Sequence, residues 1–103
     1  MKKNYKAKLQ VNKVAIELNE FTEQFLANVT VGAVTSLKGV EFLKKIEVKQ
    51  DKDDLDIKVN GEEIKLTPFP NDVIANTFKG LVSTLKGVDK SNIKNIDITI
   101  DVL

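Results

Sequence analysis

The sequence contains no cysteine and no histidine among its 103 residues. Without cysteine the chain forms neither a disulfide framework nor a thiolate centre, which is compatible with a reducing cytoplasm. Without histidine it lacks the side chain best suited to proton transfer near neutral pH. The P-loop, G-x-G-x-x-G, H-E-x-x-H and C-x-x-C motifs are missing as well. We therefore expect a cytoplasmic protein that is not an enzyme and that holds no cofactor and no metal.

An excess of charge of one sign and long apolar runs are also lacking. The formal net charge is +1, with 42% hydrophobic and 30% charged residues, which is ordinary for a soluble domain. This balance excludes the basic field that drives non-specific nucleic-acid binding. No apolar run is long enough to span a membrane, and no signal-peptide stretch follows the basic segment Met1-Lys2-Lys3. We expect no nucleic-acid partner and no membrane partner.

One motif occurs twice in the chain, as Val-Thr-Ser-Leu-Lys-Gly-Val at 34–40 and as Val-Ser-Thr-Leu-Lys-Gly-Val at 82–88. At this offset of 48, 13 of the 33 positions from Leu9 to Glu41 are identical. After a two-residue insertion, residues 45–48 align with 95–98. Such self-similarity indicates an internal repeat. The sequence thus predicts a single domain, residues 1–103, made of two copies at about 5–50 and 54–102.

Each copy opens with a predicted β-hairpin. Apolar and polar residues alternate from Tyr5 to Leu18, which is typical of strands with one buried face. In the second copy Asn60-Gly61 lies between two alternating runs, and this pair favours a type I′ turn. Asn12-Lys13 occupies the same place in the first copy.

Each hairpin is followed by a predicted helix. Asn19 and Thr67 are typical N-cap residues. The apolar periodicity predicts helices that run to Lys38 and Lys86, where a cation faces the negative end of the helix dipole. The following glycines are expected to take the left-handed C′ conformation, Gly39 in one copy and Gly87 in the other.

The remaining strands complete a β-β-α-β unit in each copy. A tight turn near Asp51-Lys52 would place Val48 opposite Leu55. We predict an α+β fold, a two-layer α/β sandwich in which a mixed sheet of about six strands carries two helices on one face. Each β-α-β step is expected to be right-handed. The strand order stays open, because antiparallel pairing across the short link at 51–54 conflicts with a simple two-fold relation between the copies.

Two local clusters are weak candidates for reactive sites. The acidic run that starts at Asp51 meets only half of a calcium-loop pattern, since Asp56 stands where glycine is needed. Ser36 and Lys38 are two residues apart, so on a helix they point in different directions. A solvated hairpin tip and an ordinary helix end are the simpler interpretations.

The outer side of the first helix is unusual, because no charged residue occurs between Gln24 and Leu37. A helix side that faces water is normally charged. Two glycines, Gly32 and Gly80, also lie mid-helix, where glycine is unfavourable by about 1 kcal/mol relative to alanine. Inheritance by duplication would explain them, but close approach by another helix is the interpretation favoured here. The residues of this outer stripe are the interface candidates: Phe21, Phe25, Asn28, Val29, Gly32 and Ser36.

The hypothesis that follows is a non-enzymatic protein-interaction or self-assembly module that forms a homodimer through the first helix, with the second helix nearer the rim. Packing of the two helices against each other within one chain would also hide the stripe. The alternative function is a small-ligand-binding protein with a cleft beside the first helix, near Phe21, Phe25 and Asn28.

Overall fold

The computed structural model describes residues 4–103, and the basic segment Met1-Lys2-Lys3 lies outside them. Alternating runs form six strands and the two periodic segments form helices, as their apolar spacing predicts. In chain order the elements are β1 (Tyr5–Val11), β2 (Val14–Ile16), α1 (Glu20–Leu37), β3 (Lys45–Asp51), β4 (Asp54–Val59), β5 (Glu62–Ile64), α2 (Pro68–Val82) and β6 (Asn95–Val102).

The strands make one sheet in the order β2-β1-β6-β3-β4-β5, and every neighbouring pair is antiparallel. The predicted α+β class with about six strands and two helices is confirmed. The prediction of a mixed sheet is wrong. Because the order places β2 and β3 three antiparallel steps apart, these strands run in opposite directions. The right-handed rule for parallel crossovers therefore does not govern the β2-α1-β3 connection.

The two halves of the chain exchange their last strands. β3 lies between β4 and β6 of the second half, and β6 lies between β1 and β3 of the first half. At the centre Val48 pairs with Ile98, the residue that the sequence alignment makes its equivalent. The sequence suggested that antiparallel pairing of β3 with β4 would conflict with a two-fold relation between the copies. This conflict does not arise, because the equivalent last strand, β6, pairs with β1 in the same way. A common origin of the halves stays a prediction.

The register between β3 and β4 differs from the predicted one. Val48 pairs with Ile57, and Leu55 pairs with Gln50. The turn consists of Lys52 and Asp53, one residue later than predicted, and Lys52 adopts a left-handed φ of 56°. A lysine gives no sequence signal for this conformation, so the turn position could not be read from composition.

Both two-residue hairpin turns have positive φ at both central residues, as a type I′ turn requires, although the sequence predicted this type only at Asn60-Gly61. These angles are 53° at Asn12 and 67° at Lys13, and 51° at Asn60 and 85° at Gly61. The predicted pairing of Val11 with Val14 is confirmed. A type I′ turn needs two left-handed residues, so Lys13 holds a conformation that glycine would adopt at less cost.

The helix starts agree with the sequence better than the helix ends. Asn19 caps α1, and its side chain accepts a hydrogen bond from the Thr22 amide, whereas Thr67 makes no side-chain cap bond. α1 ends at Leu37 without a left-handed glycine, so the prediction for Gly39 is wrong.

The end of α2 also differs from the prediction. It stops at Val82, four residues before Lys86, and continues as tighter turns in which the Leu85 amide bonds to the Val82 carbonyl. The Thr84 hydroxyl donates to the Leu81 carbonyl and so competes for helical acceptors. Gly87 does have the predicted left-handed φ, at 85°, but it lies beyond these turns.

The core lies between the sheet and the helices. Strand residues of one parity and the inner stripes of both helices are buried in one cluster, which includes Leu26, Val34, Phe78, Ile46 and Ile98. The opposite face of the sheet is polar. This arrangement leaves the outer surface of the helical layer as the place where apolar side chains face solvent.

Candidate interaction surface

Two phenylalanines of α1 are exposed on the outer surface of the helical layer. Phe21 is 68% and Phe25 46% exposed, and their rings stack with centroids 5.7 Å apart. They lie one turn apart on a helix that the Asn19 cap starts at a defined residue. Packing of α1 against α2 within the chain therefore does not hide this part of the stripe.

α2 exposes the equivalent positions. Phe69 is 78% and Val73 49% exposed. Lys79, further along the helix, forms an ion pair with Asp53 of the β3–β4 turn. The sequence places α2 near the rim of an interface because of Lys79, but the structure gives its first turns as much exposed apolar surface as α1.

A groove of about 450 Å³ separates the second half of α1 from the first half of α2. The facing segments show that the helices are antiparallel. Apolar and small residues line most of it, including Val29, Gly32 and Ala33 on α1 and Phe69 and Val73 on α2. The stacked pair of Phe21 and Phe25 lies at the other end of α1. The helical layer thus has a protruding aromatic pair and a groove at separate places.

The two mid-helix glycines face open space. A Cβ atom added at Gly32 or at Gly80 would meet no atom within 4 Å. The packing of the monomer therefore does not require glycine at either position. The hydroxyl of Ser36 donates to the Gly32 carbonyl at 2.7 Å, so it is satisfied within its own helix.

The predicted interface residues occupy one helix but two environments. Phe21 and Phe25 belong to the protruding pair, while Val29, Gly32 and Ser36 line the groove. Asn28 is exposed between them. The cleft expected near Phe21, Phe25 and Asn28 lies instead between the helices, one to two turns further along α1.

Sequence reasoning missed the polar side chains that cover the edge of the sheet. The Gln24 side chain donates to the Tyr5 carbonyl at 2.8 Å and accepts from the Tyr5 amide, and the Glu23 carboxylate accepts from the Ala7 amide at 2.9 Å. In the second half Asn71 accepts from the Leu55 amide. The only available signal was the position of these residues in the first helical turn, where a dipole or capping role is the usual explanation.

The two hairpin asparagines are a second feature that the sequence did not reveal. Asn60 accepts from the Lys44 and Lys45 amides at 2.8 and 3.0 Å and donates to the Phe42 carbonyl. Asn12 makes the equivalent bonds to the segment before β6, accepting from the Lys94 amide at 2.7 Å. Each asparagine therefore ties the tip of a hairpin to the start of a central strand.

The open face of the sheet carries charges of both signs in register. Asp101 of β6 lies between Lys6 of β1 and Lys45 of β3, and Lys49 pairs with Asp97. Cross-strand neighbours of opposite charge are favourable, so this face needs no partner to balance it. A solvated surface remains the interpretation of this face.

The chemistry available within residues 4–103 is limited. No group of three or more acidic side chains there is arranged to hold a metal ion. In the same range neither helix is both long and apolar enough to cross a bilayer.

Gln50 is a buried amide on the inner side of β3 whose side-chain nitrogen donates to the Ala75 carbonyl.

Comparisons of the chain with protein-family models, with curated proteins and with solved structures find no match. Function is therefore inferred from the geometry of the helical layer.

Proposed function

We propose that the protein is a self-assembly module that forms a homodimer through the outer surface of its helical layer. The observation that carries this proposal is the exposure of large apolar side chains at both ends of the helical layer, Phe21 and Phe25 at one end and Phe69 and Val73 at the other. Exposed apolar surface of this kind marks interaction sites. The cytoplasmic location expected from the sequence belongs to the same proposal.

The exposed aromatic area is sufficient to contribute a large part of a dimer interface. With roughly 200 Å² for a phenylalanine side chain, the exposed fractions of the three rings amount to roughly 400 Å². A stable interface buries about 800 Å² on each partner. The exposed uncharged residues between Gln24 and Leu37 and the apolar part of the α2 surface can supply the remainder, and the α1 segment can be buried without stranding a charge.

Gly32 and Gly80 favour a second copy of this chain as the partner, rather than a different molecule that binds loosely. Gly32 and Gly80 carry a cost in helix stability that no contact within the monomer offsets. Close approach of a partner backbone would use the missing side chains. Because both helices carry such a position on the same surface, a two-fold interface would use each of them twice.

The protruding pair and the groove lie at opposite ends of α1, which supports a two-fold arrangement. The two-fold axis would lie in the plane of the helical layer, perpendicular to the helices. Rotation about it reverses the direction of α1 in the second copy. The stacked Phe21 and Phe25 of one copy then lie over the groove beside Val29 and Gly32 of the other. In an isologous interface this contact occurs twice.

Sedimentation equilibrium of the wild type, Phe21→Asp and Gly32→Leu tests this proposal. We expect a dimer for the wild type and a monomer for each variant, with helical content unchanged by circular dichroism. Phe42→Asp is the matched control, because Phe42 is 78% exposed but lies outside both helices, and this variant should remain dimeric. A wild type that is monomeric at several hundred micromolar would overturn the proposal.

The second candidate function is binding of a small apolar ligand, and the specific observation is the groove between the helices. Its volume of about 450 Å³ falls within the 300–1,000 Å³ typical of ligand sites. Native mass spectrometry of the purified protein distinguishes the candidates. A monomer with a bound small molecule would support the ligand site, and an empty dimer would support self-assembly.

A further inference from the structure

The two outermost strands of the sheet, β2 and β5, are equivalent in position but not in chemistry. β2 reads Val14-Ala15-Ile16 and has no charged residue, whereas β5 reads Glu62-Glu63-Ile64. Val14 is 61% exposed. Charged side chains on an edge strand block pairing with another chain, and an uncharged edge leaves it available.

The backbone groups of Ala15 point away from the sheet. Ala15 pairs with Gln10, next to the Val11–Val14 pair that closes the two-residue turn. Hydrogen-bonded and non-hydrogen-bonded pairs alternate along an antiparallel ladder, and the turn is closed by a bonded pair. The amide of Asn12, of the same parity as Gln10, donates to Asn95 on β6 at 2.8 Å. Gln10 therefore faces β6, and the N–H and C=O of Ala15 face the open side of β2.

The rest of this edge is covered by the chain itself. Where β2 ends, the side chains of Gln24 and Glu23 bond the outward backbone groups of Tyr5 and Ala7. On the opposite edge Asn71 does the same for β4. Among the described residues 4–103, nothing hydrogen-bonds the outward N–H and C=O of Ala15, so both groups are left to an outside partner.

We propose that β2 pairs with β2 of a second copy, in an antiparallel register with Ala15 opposite Ala15. The two alanines then exchange both backbone hydrogen bonds, and Val14 lies opposite Ile16 of the other copy. Lys13 lies opposite Glu17, and Glu17 opposite Lys13. The sequence is therefore charge-complementary to itself in this register, which is favourable for cross-strand neighbours. This interface is separate from the helical layer and does not depend on it.

Charges disfavour the other ways in which these edges could pair. Two copies joined through β5 would place Glu63 opposite Glu63. β2 of one copy joined to β5 of another, with Ala15 opposite Glu63, would place Lys13 opposite Lys65. Like charges directly opposite each other are destabilising. The self-paired β2 edge is the combination in which no like charges meet.

Lys13 is positioned to take part. Its ammonium group binds Asp97 at 3.3 Å on the open face of the sheet, while its side chain remains 68% exposed. In the paired register the Lys13 ammonium group can exchange this exposed ion pair for one with Glu17 of the second copy. Because β2 has three residues, the edge contact is small, and we expect it at high protein concentration.

The experiment measures solvent exchange of backbone amides by NMR in Phe21→Asp, which removes the proposed helical contact. Between roughly 50 µM and 2 mM protein, exchange at Ala15 should slow at least about twofold, which corresponds to pairing of half or more of the copies at the higher concentration, while Glu63 stays constant. Ala15→Pro removes the outward N–H, which an edge strand tolerates, and should abolish the concentration dependence of the Val14 and Ile16 amide shifts. Glu63→Pro is the matched control and should retain it.

A charge exchange completes the test. Lys13→Glu should abolish the slowing at Ala15, and the double variant Lys13→Glu with Glu17→Lys should restore it. Exchange at Ala15 that is independent of concentration would overturn the edge pairing, whatever sedimentation shows for the wild type. Equal slowing at Ala15 and Glu63 would also overturn it, because non-specific association would account for both.

Discussion

Replacing Asn60 tests whether the hairpin tips hold the central strands in place. Its side chain makes three hydrogen bonds to the segment that leads into β3, to the amides of Lys44 and Lys45 and the carbonyl of Phe42. Its backbone has a φ of 51°, a conformation that asparagine tolerates and alanine does not. The side-chain hydrogen bonds and the left-handed backbone of Asn60 are therefore two effects that different substitutions can separate.

The magnitudes follow from these two effects. A hydrogen bond contributes about 0.5–1.5 kcal/mol net, and these bonds are partly exposed, so their loss should cost about 1–2 kcal/mol. Left-handed backbone adds about 1 kcal/mol or more for a residue with a Cβ atom. We expect Asn60→Gly to lower the free energy of unfolding by the first amount and Asn60→Ala by about 2–3 kcal/mol, the sum of both effects.

Urea denaturation measures this free energy, with an unchanged m-value showing that the unfolding reaction is the same. Asn76→Ala, an exposed asparagine on α2, serves as the control and should change stability by less than about 0.5 kcal/mol. Asn12→Gly should match Asn60→Gly because the bonds are equivalent. If Asn60→Gly were as stable as the wild type, the side-chain bonds would contribute nothing and the reasoning would fail.

Two further predictions concern single residues near the ends of the helices. Gly87→Val should destabilise by about 1 kcal/mol or more, because φ is 85° there, while Gly39→Val, without a positive φ, should have a smaller effect in the same thermal melt; equal losses would contradict this explanation. The Ser91 hydroxyl and amide donate to Asp89 and lower the pKa of its carboxyl group, so its stabilising contribution is present above the ordinary pKa and lost as the pH falls through the lowered one. NMR titration of Ser91→Ala should show a higher Asp89 pKa, and an unchanged value would refute the assignment.

Local chemistry was predictable from the sequence where one residue type decides the conformation. Asn60-Gly61 predicted a type I′ turn because asparagine and glycine tolerate positive φ, and Asn19 predicted a helix start because its side chain can accept a hydrogen bond from an amide of the first turn. The turn at Lys52 and the early end of α2 at Val82 were not predictable in the same way. Lysine rarely signals left-handed backbone, and hydroxyl competition in the last turn changes a helix end without changing its apolar pattern.

Long-range arrangement was the part that the sequence could not supply. The exchange of β3 and β6 depends on which strands meet across the sheet, and alternation gives only the buried face of each strand. For the candidate surface, the sequence pointed to Phe21 and Phe25 through the missing charge on α1. It did not show that Lys79 forms an ion pair with Asp53, because that requires the relative position of α2 and the β3–β4 turn.

Because the two halves exchange strands, a single short turn is the covalent link between two parts that are interleaved in one sheet. β3 and β6 are each flanked by strands of the opposite half, and the halves are joined by the two-residue turn at Lys52-Asp53. A cut at that peptide bond would leave two fragments, 1–52 and 53–103, each separated from the neighbours of its own last strand. They would regain the sheet only by noncovalent complementation, so the nicked protein would unfold at a midpoint that depends on concentration. In topological terms, the two halves of the chain are arranged like the subunits of a strand-exchanged dimer, and a two-residue turn joins them.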